Sequence, residues 1–402
     1  MTDQTRFLQI HTLTPYIGVL LNRDDVGQAK RLPLGGTIRG RVSSQCQKRH
    51  WRRATGEWSL MPLGNLAIRS RQTFVKHVAE PLTNDEGLDP EKVAEAVLAI
   101  QAELLGESKK AAAKKKAEDY VAELKTNQVI VLGHAEIEYV KSLVRTLVAD
   151  TASMKELKAA VAALLKKEKP NFASMREGAG LDAALFGRMI TGDILARSDA
   201  AVHVAHAFTV NALETEPDYF TAVDDITQDS GEQGSGHINI SELTSGLYYS
   251  YVVIDLPLLV SNLQGCHQRD WANADRSLAG KVVEQLIGLI ATVSPGAKLG
   301  STAPYGSADT VVVEAGNRQP RSLANAFYKP VLARNDLREA ASGELLKHLT
   351  RLDGMYGRAE MRQASSLIDN FSIDGRAPVP LPDLAAWAGA IAAGTLPFKP
   401  EA

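Results

Sequence analysis

The chain has 402 residues, of which 45% are hydrophobic and 23% charged, and its formal net charge is −2. This is the composition of a globular protein long enough for one complex domain or two simple ones, and the near-neutral balance excludes nucleic-acid binding by bulk charge. A polyanion would have to be met by a local cationic patch. Cys46 and Cys266 are the only cysteines, too few for a disulfide framework or a cysteine zinc site. With no apolar run of ~18 residues and no export signal at the N-terminus, a reducing, cytoplasmic setting is expected.

Phe7 to Leu13 reads as a first strand, with apolar residues on both of its faces. A charged turn, Asn22-Arg23-Asp24-Asp25, follows, and then Gly35-Gly36, which matches no phosphate-loop motif and is read as a sharp turn or a close backbone approach. Arg39 and Arg41 lead into Ser44, and Gln47 three residues on completes a capping-box pattern, so the spacing predicts a helix from Ser44 through Arg53. At about 100° per residue, Gln45, Lys48, Arg49, Arg52 and Arg53 share one arc, while Cys46, His50, Trp51 and Ala54 share the opposite one. One face suits anions and the other a core. The free N–H groups and positive dipole end at the helix start add to the field of Arg39 and Arg41 and favour a phosphate chain.

From Thr55 to Pro90 no period is sustained, whereas Glu91 to Lys169 is rich in Ala, Lys, Glu and Leu and keeps helical spacing. The stripes are Val93, Val97, Ile100 and Leu104, then Ile137, Val140, Val144 and Leu147, then Leu157, Val161 and Leu164. Within this helical insertion, SKKAAAKKK at 108–116 is either a solvated face or a lysine surface for nucleic acid, a role open also to Lys155, Lys158, Lys166 and Lys167. Strand character returns from Asp182 to Met189 and strengthens where Val202, Val204, His206, Phe208 and Val210 share a face. This makes His206 a satisfied core histidine, and since His203 would point the other way, the pair is not a metal site.

Asn211 to Leu243 is polar, and about thirty residues is long for a structureless connection, so a functional excursion is expected there. The strand that follows places Leu247, Tyr249, Tyr251 and Val253 on one side. A helix from Ala274 to Val293 is stopped by Pro295-Gly296, Asp309 to Glu314 is a further strand, and Ser322 to Phe327 begins a helical tail that includes Leu381 to Ala392. The order is that of an α+β protein, compatible with a βαββαβ ferredoxin-like sheet carrying two large insertions. Chemistry is sparse. Asp24 and Asp25 could hold Mg²⁺ for phosphodiester cleavage, or could simply form a turn and partner Arg23 and Arg39.

Several blocks carry a family resemblance. LNRDD at 21–25, Lys30, Leu34-Gly35-Gly36, and Arg41-Val42-Ser43-Ser44-Gln45 with Lys48-Arg49 resemble the N-terminal signature of the CasC family, the backbone subunit of the type I-E CRISPR surveillance complex Cascade. Gly187-Arg188-Met189, Ala205-His206-Ala207, FTAVDD at 220–225, Glu232-Gln233-Gly234-Ser235, Pro295-Gly296-Ala297-Lys298 and Ala324-Asn325-Ala326-Phe327 follow in that family's order. His50 and Trp51 depart from it, since smaller or aliphatic residues are expected on that face, and imply local repacking. The stacking signature of an ordinary RRM is missing, which fits a protein that leaves bases free for pairing and grips phosphates without reading sequence.

The resemblance implies an RRM-like palm at 1–58, 182–209 and 244–402, a helical fingers insertion at 59–181 and a β-hairpin thumb at 210–243. It implies a non-catalytic scaffold, with no metal or cofactor, that polymerises along CRISPR guide RNA for antiviral defence. Its partners would be the guide, the target DNA strand through the guide, further copies of itself and other Cascade subunits. Lys30, Arg41, Ser43, Gln45, Lys48, Arg49 and Arg52 would line the guide-RNA groove and Met189 would wedge at a kink in the RNA, with Arg39 and Ser44 added by their place at the helix start. The alternative is a metal-dependent ribonuclease using Asp24 or Asp25.

Overall fold

The computed structural model describes residues 4–105, 124–174, 180–188, 199–223, 235–297, 299, 301–332 and 336–397. Met189, the lysine run at 108–116 and the tip of the polar excursion at 224–234 lie outside the described residues. The chain divides into two compact units, one formed by Met1–Leu60, Val202–Leu256 and Arg276–Ala402, the other by Met61–Ala201 and Pro257–Asp275.

Strands β1 (Phe7–Val19), β2 (Arg31–Leu34) and β3 (Thr37–Val42) and helix α1 (Ser44–Arg53) come first, and β4 (Ile68–Ser70) and β5 (Ile130–Leu132) pair with each other in the second unit. The chain returns to the first unit in β6 (Val202–Val204), β7 (Ala207–Thr209), β8 (Glu214–Val223) and β9 (Ser235–Asp255), and β10 (Thr310–Gly316) and β11 (Met361–Ser366) complete it. Its sheet is antiparallel, in the order β11-β10-β1-β9-β7-β3-β2, with β6 and β8 also paired to β9. The expected excursion is a hairpin: β8 and the first half of β9 run together from Glu214 opposite Ser245 to Val223 opposite Ser235. The second half of β9 continues into the sheet against β1.

Both faces of β1 are buried, which explains its lack of a clean alternation. Thr12 and Thr14 line a small cavity together with Ile290 and Val293 at the end of the helix Ser277–Thr292. Leu13 on the other face joins Phe208, Tyr249 and Val312 in a core completed by Phe327 and by Leu345 and Leu349 of the helix Leu337–Tyr356. The helices Ser277–Thr292 and Leu381–Ala393 approach at two glycines: a Cβ added to Gly280 would stand 2.9 Å from the Gly389 carbonyl oxygen, and one added to Gly389 would stand 3.0 Å from that of Gly280. Only residues without side chains allow this spacing.

Charge is buried at the β10–β11 edge. Glu314 and Arg362 are fully enclosed, with Arg362 Nε donating to Glu314 Oε2 at 3.0 Å and its two Nη atoms donating to Asp353 at 2.6 and 2.7 Å. Arg321 Nη2 donates to the same Glu314 oxygen at 3.1 Å. Tyr249 Oη accepts from the Leu323 N–H and shares a hydrogen bond with His11 Nδ1 at 2.9 Å, and His11 Nε2 faces Glu314 at 3.4 Å. Burial pushes the Glu314 carboxyl up, but the His11 hydrogen bond and the charges of His11, Arg321 and Arg362 outweigh it and hold the group down at about 2.

In the second unit the three expected apolar stripes meet in one core, together with Phe74, Val78 and Leu82 from the segment that shows no period. Those three lie in or beside irregular turns (Val75–Ala79 and Pro81–Asp85), whose spacing a 3.6-residue search misses. The strand expected from Asp182 is instead the helix Leu181–Phe186. Asp182 is buried there, accepting from the Ala67 N–H at 2.6 Å and from Arg69 at 2.9 and 3.0 Å. A short apolar run fits strand or buried helix equally, and tertiary bonding decides. The tail is likewise not all helical: Met361–Ser366, of sequence MRQASS, is strand β11, recruited by pairing with β10 rather than by its own propensity.

Candidate nucleic-acid interface

The stretch Leu21–Arg53 is stitched together by backbone and side-chain bonds. Asn22 is its hub: its carbonyl accepts from the Lys30 N–H at 2.9 Å and its side-chain oxygen from the Ser43 N–H at 3.0 Å, while Arg41 N–H donates to the Lys30 carbonyl at 2.8 Å. Asp24 Oδ1 accepts from the N–H groups of Val26 and Gln28 at 3.1 and 2.8 Å, so this carboxylate shapes the turn. Among the described residues no group of three or more His, Cys, Asp and Glu side chains is placed to hold a metal ion. Gly35 and Gly36 form the β2–β3 turn with φ of +62° and +80°, and a Cβ on Gly35 would fall 1.6 Å from the Tyr328 carbonyl oxygen. Both the turn and the close approach are therefore present.

The cap of helix α1 lies one residue earlier than the capping-box pattern implies. Ser43, not Ser44, is the N-cap, its Oγ accepting from the Cys46 N–H at 3.3 Å. Gln47 is buried and forms no capping box: its amide donates to the Ala205 carbonyl at 3.0 Å and accepts from Ser250 Oγ at 2.9 Å. Trp51 is buried and Cys46 and His50 half-buried, whereas Gln45, Arg49 and Arg53 are exposed and Lys48 and Arg52 partly so. Burial pushes the Cys46 thiol up, and the charges of Arg49 and Lys30 pull it back. The first turn carries no acidic residue and the last carries His50, Arg52 and Arg53. An anion at the N-terminus of α1 therefore meets no carboxylate on that turn.

Arg39 is a correction. It is 0% exposed, and its guanidinium donates to Thr37 Oγ1 and to the carbonyls of Thr209, Val210 and Phe327 at 2.7 to 3.1 Å. It ties β3 to the root of the β8–β9 hairpin and to the turn Ala324–Phe327, and it cannot reach an external phosphate. Ser43 and Ser44 are also buried, and the Ser43 hydroxyl is spent on the cap. Lys30 and Arg41 are half-exposed, and Arg41 stands two residues along from Arg39 on the same face of β3, past the cover that encloses Arg39.

His206 is a second correction. Val204 is opposite Val252 and Phe208 opposite Tyr249, so four steps along β6–β7 meet only three along β9. This β-bulge at Ala205–His206 switches faces, so that Val202 and Val204 do not share a side with Phe208. The imidazole is exposed rather than in the core, with Nδ1 3.3 Å from Arg41 Nη1. Burial of its ring atoms, then the charges of Arg41 and Lys30, push its pKa below the ordinary value. The only sequence signal for such a group is the interruption of strand character around Ala205. Nor does the sequence announce Glu242 of β9, which accepts from the Ala29 N–H at 2.9 Å and pairs with Arg31, tying the hairpin strand to the same stretch.

Fold and surface together define an α+β protein with an antiparallel sheet and a row of cations beside the start of one helix. The chain belongs to the family described as CT1975-like protein, whose profile matches residues 8–383, and the CasC resemblance holds. It is similar, at 26% identity and a TM-score of 0.75 over 96% of this chain and 100% of the other, to a chain of a solved structure entitled "CRISPR RNA-guided surveillance complex, pre-nicking". A chain of a second structure, "CRISPR RNA-guided surveillance complex", shares the fold at 21% identity and a TM-score of 0.56, over 97% of this chain and 100% of that one. No curated protein matches. Among the described residues no helix is long and apolar enough to cross a membrane.

Proposed function

We propose that this chain is a subunit of a CRISPR RNA-guided surveillance complex in the cytoplasm, where it acts as a non-catalytic scaffold. Copies polymerise along the guide RNA, hold its phosphates and present the bases for pairing with the strand of invading DNA, alongside other Cascade subunits. The observation that carries this reading is the set of cations Lys30 and Arg41, half-exposed before the start of α1, and Arg49, exposed midway along it, in a chain similar over 96% of its length to a chain of such a complex. The order β10-β1-β9-β7, with α1 and the helix Ser277–Thr292 in the connections, supports an RRM-like palm. The β8–β9 hairpin supports a thumb and the helices of the second unit support fingers.

Contacts to phosphates carry no sequence information, which suits a subunit that must accept any guide. Reversing the charge of Lys48 and Arg52 together is expected to abolish co-purification of guide RNA from a folded subunit; undiminished RNA in the purified variant would sink this assignment. For the ribonuclease alternative, assembled complex is incubated with complementary RNA and Mg²⁺. Periodic cleavage lost on Asp25→Ala would favour it, whereas intact RNA supports the scaffold.

A further inference from the structure

The bulge at Ala205–His206 is held from two sides. The Gln47 amide of α1 holds the Ala205 carbonyl from one side, and the Ala205 N–H donates to the Tyr251 carbonyl of β9 at 2.9 Å from the other. The strand is thus fixed on both flanks of the extra residue, and what the extra residue achieves is to turn His206 out beside Arg41. Arg41 can only donate, so at 3.3 Å His206 Nδ1 must accept, and the imidazole in this geometry is neutral. Arg41 Nε is itself enclosed with no hydrogen-bond partner among the described residues. A neutral imidazole beside Arg41 and in the field of Lys30 is a poor final state for a surface that binds polyanions, but a good resting state.

We infer that His206 is a phosphate-binding residue of the guide-RNA surface and that RNA binding there takes up a proton on its imidazole. The inference rests on the guide-RNA reading above. A phosphate oxygen entering between Arg41 and His206 replaces Nδ1 as the acceptor for Arg41 and becomes an acceptor for the imidazole as well. The ring then needs a proton on both nitrogens, taken from solvent; no covalent bond changes. The charged groups acting on the ring are Arg41 from β3 and Lys30 from the segment before β2, while α1 and β9 present to the bulge the uncharged Gln47 amide and the Tyr251 carbonyl. In the free protein these cations and burial disfavour the charged ring. A bound phosphate reverses the sign of the local field and raises the pKa.

The sign of the linkage follows. The complex binds more protons than the free protein between the free and bound pKa values, so affinity rises as pH falls through the bound value and levels off below the free one. The whole chain is titrated with a fluorescent oligouridylate, whose bases do not ionise in the range used, from about pH 8 to about pH 5.5, and the rise in affinity should approach about tenfold per pH unit for one proton. His206→Gln should lose the rise of affinity with falling pH. Calorimetry of the wild type in two buffers of different protonation enthalpy reads proton uptake directly and does not depend on any variant folding. A pH-independent wild-type affinity, no proton uptake, or an undiminished slope in His206→Gln each overturns the inference alone. Absence of RNA binding at every pH overturns it together with the guide-RNA reading.

Discussion

At the β10–β11 edge of the sheet, Arg362 is enclosed and meets Glu314 and Asp353 at 2.6 to 3.0 Å. Towards the other edge, Arg41 on β3 is half-exposed and its near neighbour is a histidine. The same side chain is neutralised in one place and left with its field intact in the other. A buried guanidinium must have its charge and its donors met inside the protein, because the desolvation cost is otherwise prohibitive. A guanidinium that keeps part of its water carries less of that demand and stays available to a ligand. Arg39 lies between these extremes: it is buried on β3 two residues from Arg41, but carbonyl oxygens rather than carboxylates receive its donors.

This contrast can be broken at each arginine in turn. Arg362→Met should cost most, about 3–5 kcal/mol in denaturant unfolding, since it removes the fully buried partner that Glu314 and Asp353 share; a loss near that of a surface substitution would refute the compensation argument. Acid titration sharpens the same point. The depressed Glu314 group contributes stability that is fully present above its unfolded pKa of ~4.3 and is lost as pH falls through the folded value. In Glu314→Gln the dependence of unfolding free energy on pH should become shallower over that window by up to about 1.4 kcal/mol per unit, and an unaltered slope would show that the carboxylate is not held ionised.

Arg39→Met comes next, at about 2–3 kcal/mol, because the carbonyls of Thr209, Val210 and Phe327 lose a charged donor. Full stability in this variant would mean that the hairpin root does not depend on it. Ser43→Ala should cost about 1 kcal/mol as a lost helix cap while leaving the salt dependence of RNA binding intact. Arg41→Ala should have the opposite profile, with stability changed by less than about 0.5 kcal/mol and the salt slope of single-stranded RNA binding reduced by about 0.7 for one phosphate contact. If Arg41→Ala unfolds the protein and leaves the salt slope unaltered, the division between structural and ligand-facing arginines is wrong.

Much of the second unit was legible because its helices bury regular stripes: Val93, Val97 and Ile100, or Ile137, Val140 and Val144, recur at helical spacing and meet in one core. Helix α1 and its cationic arc were equally plain, as was the Gly35-Gly36 turn. Where sequence reasoning went astray, the local signal was ambiguous or cancelled. LDAALF suits strand or helix, MRQASS has no strand preference, and the unbroken alternation assumed from Val202 to Val210 concealed a bulge.

By itself, then, the sequence determined the α+β class, the order of most elements, the amphipathic helices and the concentration of cations in Leu21–Arg53, since these depend on composition and short-range period. Only the tertiary structure decided which cations face solvent. Arg39 and Arg41 share a strand, a face and a chemistry, and they differ in whether the turn Ala324–Phe327 and the hairpin root cover them. His206 left the core because β9 supplies one residue fewer than β6–β7 needs. Cover and register are set by segments far along the chain, and the period of a local stretch carries no record of them.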